Sequence, residues 1–246
     1  MKQKLYSIVL IVMVAFGCTP NNVKSDPAIA KVLDSAGLKG TFALLENGTE
    51  LFTIHNLSRY KDSAFAPLNS FFLVPALVGI DKGYITHDSS TWVSMDSTAT
   101  YTKLVQKIGR TEIMKTIDSL HYGKGIVSAQ LDSFWSDNSL NITADEQLGL
   151  IKKLYFNELY FQKRSQEIFK KMILKEDNAN YKLSYIAAAN AAQNNACWIV
   201  GYVEENKHPF FFVLHTNANS NDGILNKNIK VLKSILTQQG FLKGVR

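Results

Sequence analysis

Polar and apolar positions alternate through GTFALLENGTELFTIH, from Gly40 to His55. Phe42 and Leu44 share one face of the first arm, and Leu51 and Thr53 share one face of the second. Glu46-Asn47-Gly48 supplies turn residues, so the stretch predicts a β-hairpin. The next pattern, Ser70 to Lys82, is apolar nearly all round and predicts a buried helix. Asn69 and Ser70 stand where its N-cap belongs. Pro75 lies inside it and predicts a kink or tightened first turns; Gly83 ends it. Tyr101 to Leu120 reads as two short helices split at Gly109-Arg110, and HYGKG after them as a loop. Thr143 to Leu159 is a helix opened by a capping box of Thr143 and Glu146, with Leu148, Ile151 and Leu154 as its core stripe. Ser165 to Leu174 is another. After Asn180 the period shortens: Tyr181–Ala189, Ala196–Glu204 and Pro209–Thr216 are strand-like. Lys227 to Gln238 closes the chain as an amphipathic helix.

This order predicts an α/β protein, more narrowly α+β. An antiparallel sheet of about five strands is flanked by helices, with an all-helical lobe inserted at roughly 84–178. The domain covers 39–246. With 246 residues, 46% of them hydrophobic, the chain can bury a sizeable core. The net charge is +6, but Lys2 and Lys4 belong to the leader and the other lysines are scattered without aromatic interleaving. That argues against nucleic acid as a partner.

The N-terminus, MKQKLYSIVLIVMVAFGCTP, has a positive start and an apolar run from Ile8 to Val14. The run is too short for a membrane span and reads as a secretory signal over 1–17. Ala15 and Gly17 before Cys18 resemble the lipobox of bacterial lipoproteins. The resemblance implies cleavage before Cys18 and lipidation of its thiol and amine. The alternative is ordinary cleavage beside an incidental cysteine; lipidation gives Cys18 a use. Residues 18–38 are then tether and lead-in, and the membrane is a partner through the lipid. The expected location is a bacterial envelope, on the outer membrane facing the periplasm or the surface. Cys197, in ACWIVGYV, reads as a small buried hydrophobe. No HExxH, CxxC, P-loop or GxSxG spacing occurs, so no metal or nucleotide cofactor is called for.

Several strings resemble the serine penicillin-recognising superfamily, and within it the class D β-lactamases and the sensor domains of β-lactam receptors. YGKGIVSAQLDSFWSDNSLNITADEQLGLIKKL is similar to that family's Tyr-Gly-Asn loop, its Phe-Trp pair and the Glu-Gln helix that follows. WIVGYVE at Trp198 to Glu204 is similar to the strand after its Lys-Thr-Gly strand, and LVGIDKG at Leu77 to Gly83 to the end of its nucleophile helix. The resemblance covers nearly all of the chain beyond Thr41. It implies a serine held at a helix start beside oxyanion donors, a lysine one turn on as base, and a tryptophan that holds that lysine's carbamate.

The string here is Pro67-Leu68-Asn69-Ser70-Phe71-Phe72. By the resemblance, Asn69 takes the nucleophile's place and Phe72 the base's. Ser70 is one residue late, and one helical step turns a side chain by about 100°. A Ser-x-x-Lys string at Ser58 to Lys61 reads as a chance match in a loop or strand. The Ser-x-Val position falls at Asp96-Ser97-Thr98, and the Tyr-Gly-Asn position at Tyr122-Gly123-Lys124. The carboxylate-anchoring Lys-Thr-Gly position falls at Ile186-Ala187-Ala188. Trp135 resembles the carbamate-holding tryptophan and is expected to pack on Phe72. The leading reading is an inactive relative whose groove binds a peptide, glycan or protein. The runner-up is a divergent serine acyl-transfer enzyme, a β-lactam hydrolase or peptidoglycan peptidase, using Ser70 with Lys124 or Asp96 as base; it requires Ser70 and Lys124 within hydrogen-bond reach. A non-hydrolysing sensor is disfavoured because it too needs an acylable serine. Tyr122 could be only a packed loop aromatic, Lys124 a solvated lysine, and Phe210-Phe211-Phe212 a core strand. His121, His208 and His215 read as surface or strand-end residues. An open, polar cleft between Asn69, Lys124 and Ile186 would favour binding; one filled by Phe72, Trp135 and Ile186 would favour a scaffold. Oligomeric state is not legible.

Overall fold

The computed structural model describes residues 22–85, 98–125, 127–220 and 222–244. The leader with Cys18, and Asp96 and Ser97, lie outside the described residues.

The alternating hairpin forms as its pattern predicts: β2 (Leu38–Glu46) turns back into β3 (Leu51–His55). The three C-terminal strands are β8 (Lys182–Asn190), β9 (Ala196–Glu205) and β10 (His208–Ala218). β10 pairs with both β9 and β2, joining the two halves of the chain into one sheet. With β1 (Val23–Lys24) and β7 (Leu174–Asp177), the sheet has seven strands in the order β1-β3-β2-β10-β9-β8-β7. It is antiparallel except where β1 runs parallel to β3. Seven strands replace the five expected because the two edge strands carry almost no signal. β1 has two residues and β7 four, none of them buried, so neither shows an apolar face with period two.

Both faces of the sheet are covered, and the two-residue period of β10 shows how. Phe210, Phe212 and Leu214 pack toward α1 (Pro27–Ser35) and α8 (Ile224–Gln238). Phe211 and Val213 face the helical lobe. α1 lies in the segment read as lead-in. Asp26 caps it by accepting from Ala28 N, and it buries Ile29 and Leu33 against the sheet.

On the other face come α2 (Leu57–Asp62), a 3₁₀ turn (Leu68–Phe72) and α3 (Leu73–Asp81). Then follow α4 (Thr98–Ile108), α5 (Arg110–Leu120), α6 (Ala144–Tyr155) and α7 (Lys163–Met172). Gly109 splits α4 from α5 at φ 82°, a conformation open to glycine. Thr143 and Glu146 make the expected capping box, and Leu148, Ile151 and Leu154 are buried. A small sheet, β4 (Ala64–Phe65), β6 (Leu140–Thr143) and β5 (Lys124–Gly125), joins the lobe to the approach of α3. Ser58 and Lys61 lie on α2, not in a loop or strand as expected, and Ser58 Oγ donates to Asp62 Oδ2 at 3.3 Å. α2 has six residues and one buried side chain, Tyr60, too few to show a helical period. No helix among the described residues is long and apolar enough to cross a membrane.

His215 is fully buried on β10, which corrects its reading as a surface residue. Its ring stacks on Phe65 at 4.1 Å and meets Trp198 at 4.2 Å, and its Nδ1 lies 3.2 Å from Arg59 Nη2. Burial, and then the Arg59 charge, hold its pKa well below the ordinary value. The unfolded chain takes up that proton near pH 6.5 and the folded chain does not. Folding stability should therefore fall as pH drops from about 6.5 to 5, by up to about 1.4 kcal/mol per pH unit from this residue. His55, also lowered by burial, acts in the same direction. Urea-unfolding midpoints across this range should show the loss in the wild type and a flatter profile in His215→Phe. A wild-type profile that is flat or rises toward acid would contradict the assignment.

Candidate ligand-binding cleft

The cleft is built on the turn that leads into α3. Leu68 holds a positive φ of 54°, rare for a residue with a Cβ. Its N–H donates to the Trp135 carbonyl at 2.8 Å. Trp198 Nε1 donates to the Ala66 carbonyl at 2.9 Å, so the sheet fixes the same segment from below. Leu68, Ser70 and Phe71 are buried while Asn69 is left exposed. Pro75 is the third residue of α3, among first-turn positions whose N–H groups have no intrahelical acceptor. Its effect is tightening, since the preceding turn is 3₁₀. Asn69 and Ser70 do not act as N-caps: neither the 3₁₀ turn nor α3 has a side-chain cap.

Aromatic rings hold this turn. Phe71 packs edge-on against Tyr122 and Phe134, with centroids at 5.3 and 5.1 Å, and stacks over Trp135 at 6.3 Å. Phe72 meets Tyr101 at 6.1 Å and Phe169 at 5.9 Å. Tyr101 in turn meets Trp135 at 4.5 Å. The expected direct packing of Phe72 on Trp135 is thus replaced by contact through Tyr101. The Phe71 ring, one residue earlier, is the one that reaches Trp135.

Ser70 is 1% exposed. Its Oγ donates to the Pro67 carbonyl and accepts from Gln147 Nε2 at 2.7 Å, and Gln147 also reaches Tyr122 Oη at 3.3 Å. Burial raises the Tyr122 pKa above the ordinary tyrosine value, partly opposed by hydrogen bonds from Ser70 and Gln147. Lys124 is exposed and is not a hydrogen-bond partner of Ser70 among the described residues. Tyr122 packs on the lobe, 1% exposed. Gly123 has φ 69°, and a Cβ there would lie 2.3 Å from the Asn141 carbonyl oxygen. Only glycine fits where β5 meets β6.

A cleft of about 590 Å³ opens beside this turn, and Asn69, Phe72, Tyr101, Ile186, Ala187 and Ala188 line it. Met172, Ile173, Lys175, Tyr185, Ala189, Leu225 and Ile229 complete the wall. Asn69 and Ile186-Ala187-Ala188 are thus brought together; Lys124 and Trp135 do not line the cleft. It is open; its lining side chains are mostly apolar, and its exposed surface is polar and apolar in similar measure. β7 pairs with β8 only as far as Ser184, and Tyr185 N donates to the Ile173 carbonyl. Beyond that point β8 has β9 on one side and the cleft on the other. Leu225 and Ile229 lie four residues apart on α8, which begins at Ile224, three residues before the predicted Lys227, so Leu225 fell outside the expected helix; Met172 and Lys175 carried no comparable signal. Cys197 is buried, its thiol pushed up to about 12 by that burial, so it is inert. No group of three or more His, Cys, Asp or Glu gathers to hold a metal among the described residues.

No family model matches the chain. The OXA-48 β-lactamase of Klebsiella pneumoniae is 28% identical over 219 residues, covering 80% of this chain and 82% of that enzyme. The regulatory protein BlaR1 of Bacillus licheniformis is also 28% identical, over 235 residues that cover 86% of this chain and 39% of that protein. Among solved structures, the C-terminal domain of the B. licheniformis BlaR penicillin receptor superposes with a TM-score of 0.78 at 26% identity, covering 89% of this chain and 97% of that domain. The class D β-lactamase YbXI from Nostoc superposes with a TM-score of 0.78 at 24% identity, covering 87% of this chain and 99% of that one. These similarities support a likeness to the serine penicillin-recognising superfamily and show its fold. Within it, the relatives are class D β-lactamases and the BlaR1 penicillin-receptor domain.

The buried Ser70 pair predicts a structural cost when it is broken. Ser70→Ala should lower the unfolding free energy by about 1–3 kcal/mol, because Gln147 loses a buried acceptor. Chemical denaturation measures this; a neutral substitution would show that the hydrogen bond contributes nothing.

Proposed function

We propose that this protein is a non-acylating member of its superfamily, exported and lipid-anchored in the cell envelope, whose cleft binds a ligand without transforming it. The observation that carries the reading is the pair Asn69 and Phe72 on the cleft wall, where the resemblance sets a nucleophile and its base. An amide nitrogen is a poor nucleophile and a phenyl ring takes no proton. Removing a serine nucleophile or its partner base costs other serine hydrolases on the order of a millionfold in turnover. Ile186 and Ala188, at the positions of the substrate-anchoring lysine and glycine, offer neither charge nor the same space.

The Ser70 alternative gains no support, since Ser70 is buried and bonded to Gln147 rather than to Lys124. Of the ligand classes, peptide is favoured. The free edge of β8 beyond Tyr185 presents backbone donors and acceptors that an extended chain can pair with, and the apolar wall offers side-chain pockets. Lipid on Cys18 would hold the domain at the membrane through the polar segment after it.

Purified mature protein, incubated with a fluorescent penicillin beside an active class D enzyme, should show no covalent band while the control is labelled. Stoichiometric acylation of this protein would overturn the reading.

A further inference from the structure

A second cavity, of about 210 Å³, lies away from the cleft, between the end of α3, α5 and the loop after α6. Its floor is apolar, with Val78 and Leu120 both buried. Its charged lining is Asp81, Lys82, Glu112 and Lys115. Lys82 and Glu112 neutralise each other across 3.6 Å. That leaves one acid and one base without an ion-pair partner among the described residues, Asp81 and Lys115.

Asp81 is poorly served where it stands. It is the last residue of α3, so its charge meets the negative end of the helix. Its Oδ1 is sealed from solvent with no hydrogen-bond partner, a costly state for a carboxylate. Asp81 lines the cavity, and a cation held there would offset the repulsion at the helix end. The rim is firm: Gln166, itself fully buried, accepts from Leu159 N and donates to the Leu159 and Phe161 carbonyls. The loop so fixed holds Tyr160 out at 76% exposure, an aromatic face available to a ligand's cation.

From this arrangement we infer that the cavity between α3 and α5 is a binding site for a small zwitterion of the amino-acid class. The ammonium sits on Asp81 beneath the Tyr160 ring, the carboxylate on Lys115, and a short apolar side chain on Val78 and Leu120. Two unpaired charges of opposite sign around one small apolar floor fit a ligand carrying both charges better than a simple amine or a simple acid. This inference does not depend on the reading of the cleft.

Titration calorimetry of the mature protein with L- and D-alanine tests it, with alaninamide and N-acetylalanine as probes lacking one charge each. Saturable binding of at least one alanine enantiomer is expected at concentrations up to about 10 mM. Each single-charge probe should bind at least about tenfold more weakly, as the loss of a charged hydrogen bond predicts. Asp81→Asn and Lys115→Met should each lose at least about tenfold in alanine affinity, with Asp81→Asn no less thermally stable than wild type when unliganded. Absence of saturable heat with either enantiomer, or alaninamide binding as well as alanine, would overturn the assignment. So would unchanged affinity in Lys115→Met, which keeps the test decisive should Asp81→Asn fail to fold.

Discussion

The fold turns on the grip that aromatic rings keep on the entrance to α3. Leu68 is held at positive φ by a hydrogen bond to the Trp135 carbonyl, and Ala66 is tied to the sheet through Trp198. Around these anchors Phe71, Phe134, Trp135, Tyr101, Phe72 and Phe169 form a continuous chain of ring contacts between the turn and the lobe. Aromatic pairs each add about 0.5–1.5 kcal/mol beyond the area they bury. A chain of them can fix a turn that lacks side-chain caps at both of its helix starts. The position of Asn69, exposed and facing the cleft, follows from that grip.

The same cluster connects stability to function. A lysine at position 72 would lose the ring contacts with Tyr101 and Phe169 and bring an ammonium to a partly buried place on the cleft wall, at a desolvation cost unless a partner compensates it. Phe72 removes that cost and adds ring contacts. The buried Ser70, Gln147 and Tyr122 group is satisfied internally and points its polar atoms at one another. The lobe and sheet of a penicillin-recognising fold are present, while at the positions where the resemblance sets chemical groups Phe72 packs on rings and Asn69 is exposed.

Much of this was legible in the chain. The hairpin, the break at Gly109, the Thr143–Glu146 capping box and the three C-terminal strands each rest on a strong local signal of period, glycine conformation or capping. What escaped was short or half-buried: two residues of β1, four of β7, and the single buried tyrosine of α2. His215 was misread because a lone histidine gives no sign of burial; only its ring partners, Phe65 from before the lobe and Trp198 from the neighbouring strand, reveal it. In the cleft, Asn69, Phe72 and Ile186 to Ala188 could be named from the order of motifs. Lys124 and Trp135 could not be excluded from its wall, because adjacency in a motif does not specify which way a side chain turns. Tyr101 and Met172 required the folded chain, since neither belongs to any string with a recognisable spacing.

The central claim is that Phe72 serves packing, through Tyr101 and Phe169, at a position where the resemblance sets a base. The unfolding free energy of Phe72→Lys, measured by urea denaturation at pH 7.5 against wild type, tests it most directly. The account predicts a loss of about 1–3 kcal/mol, from ring contacts removed and a charge brought to a partly buried site. A variant as stable as wild type, or more so, would contradict it.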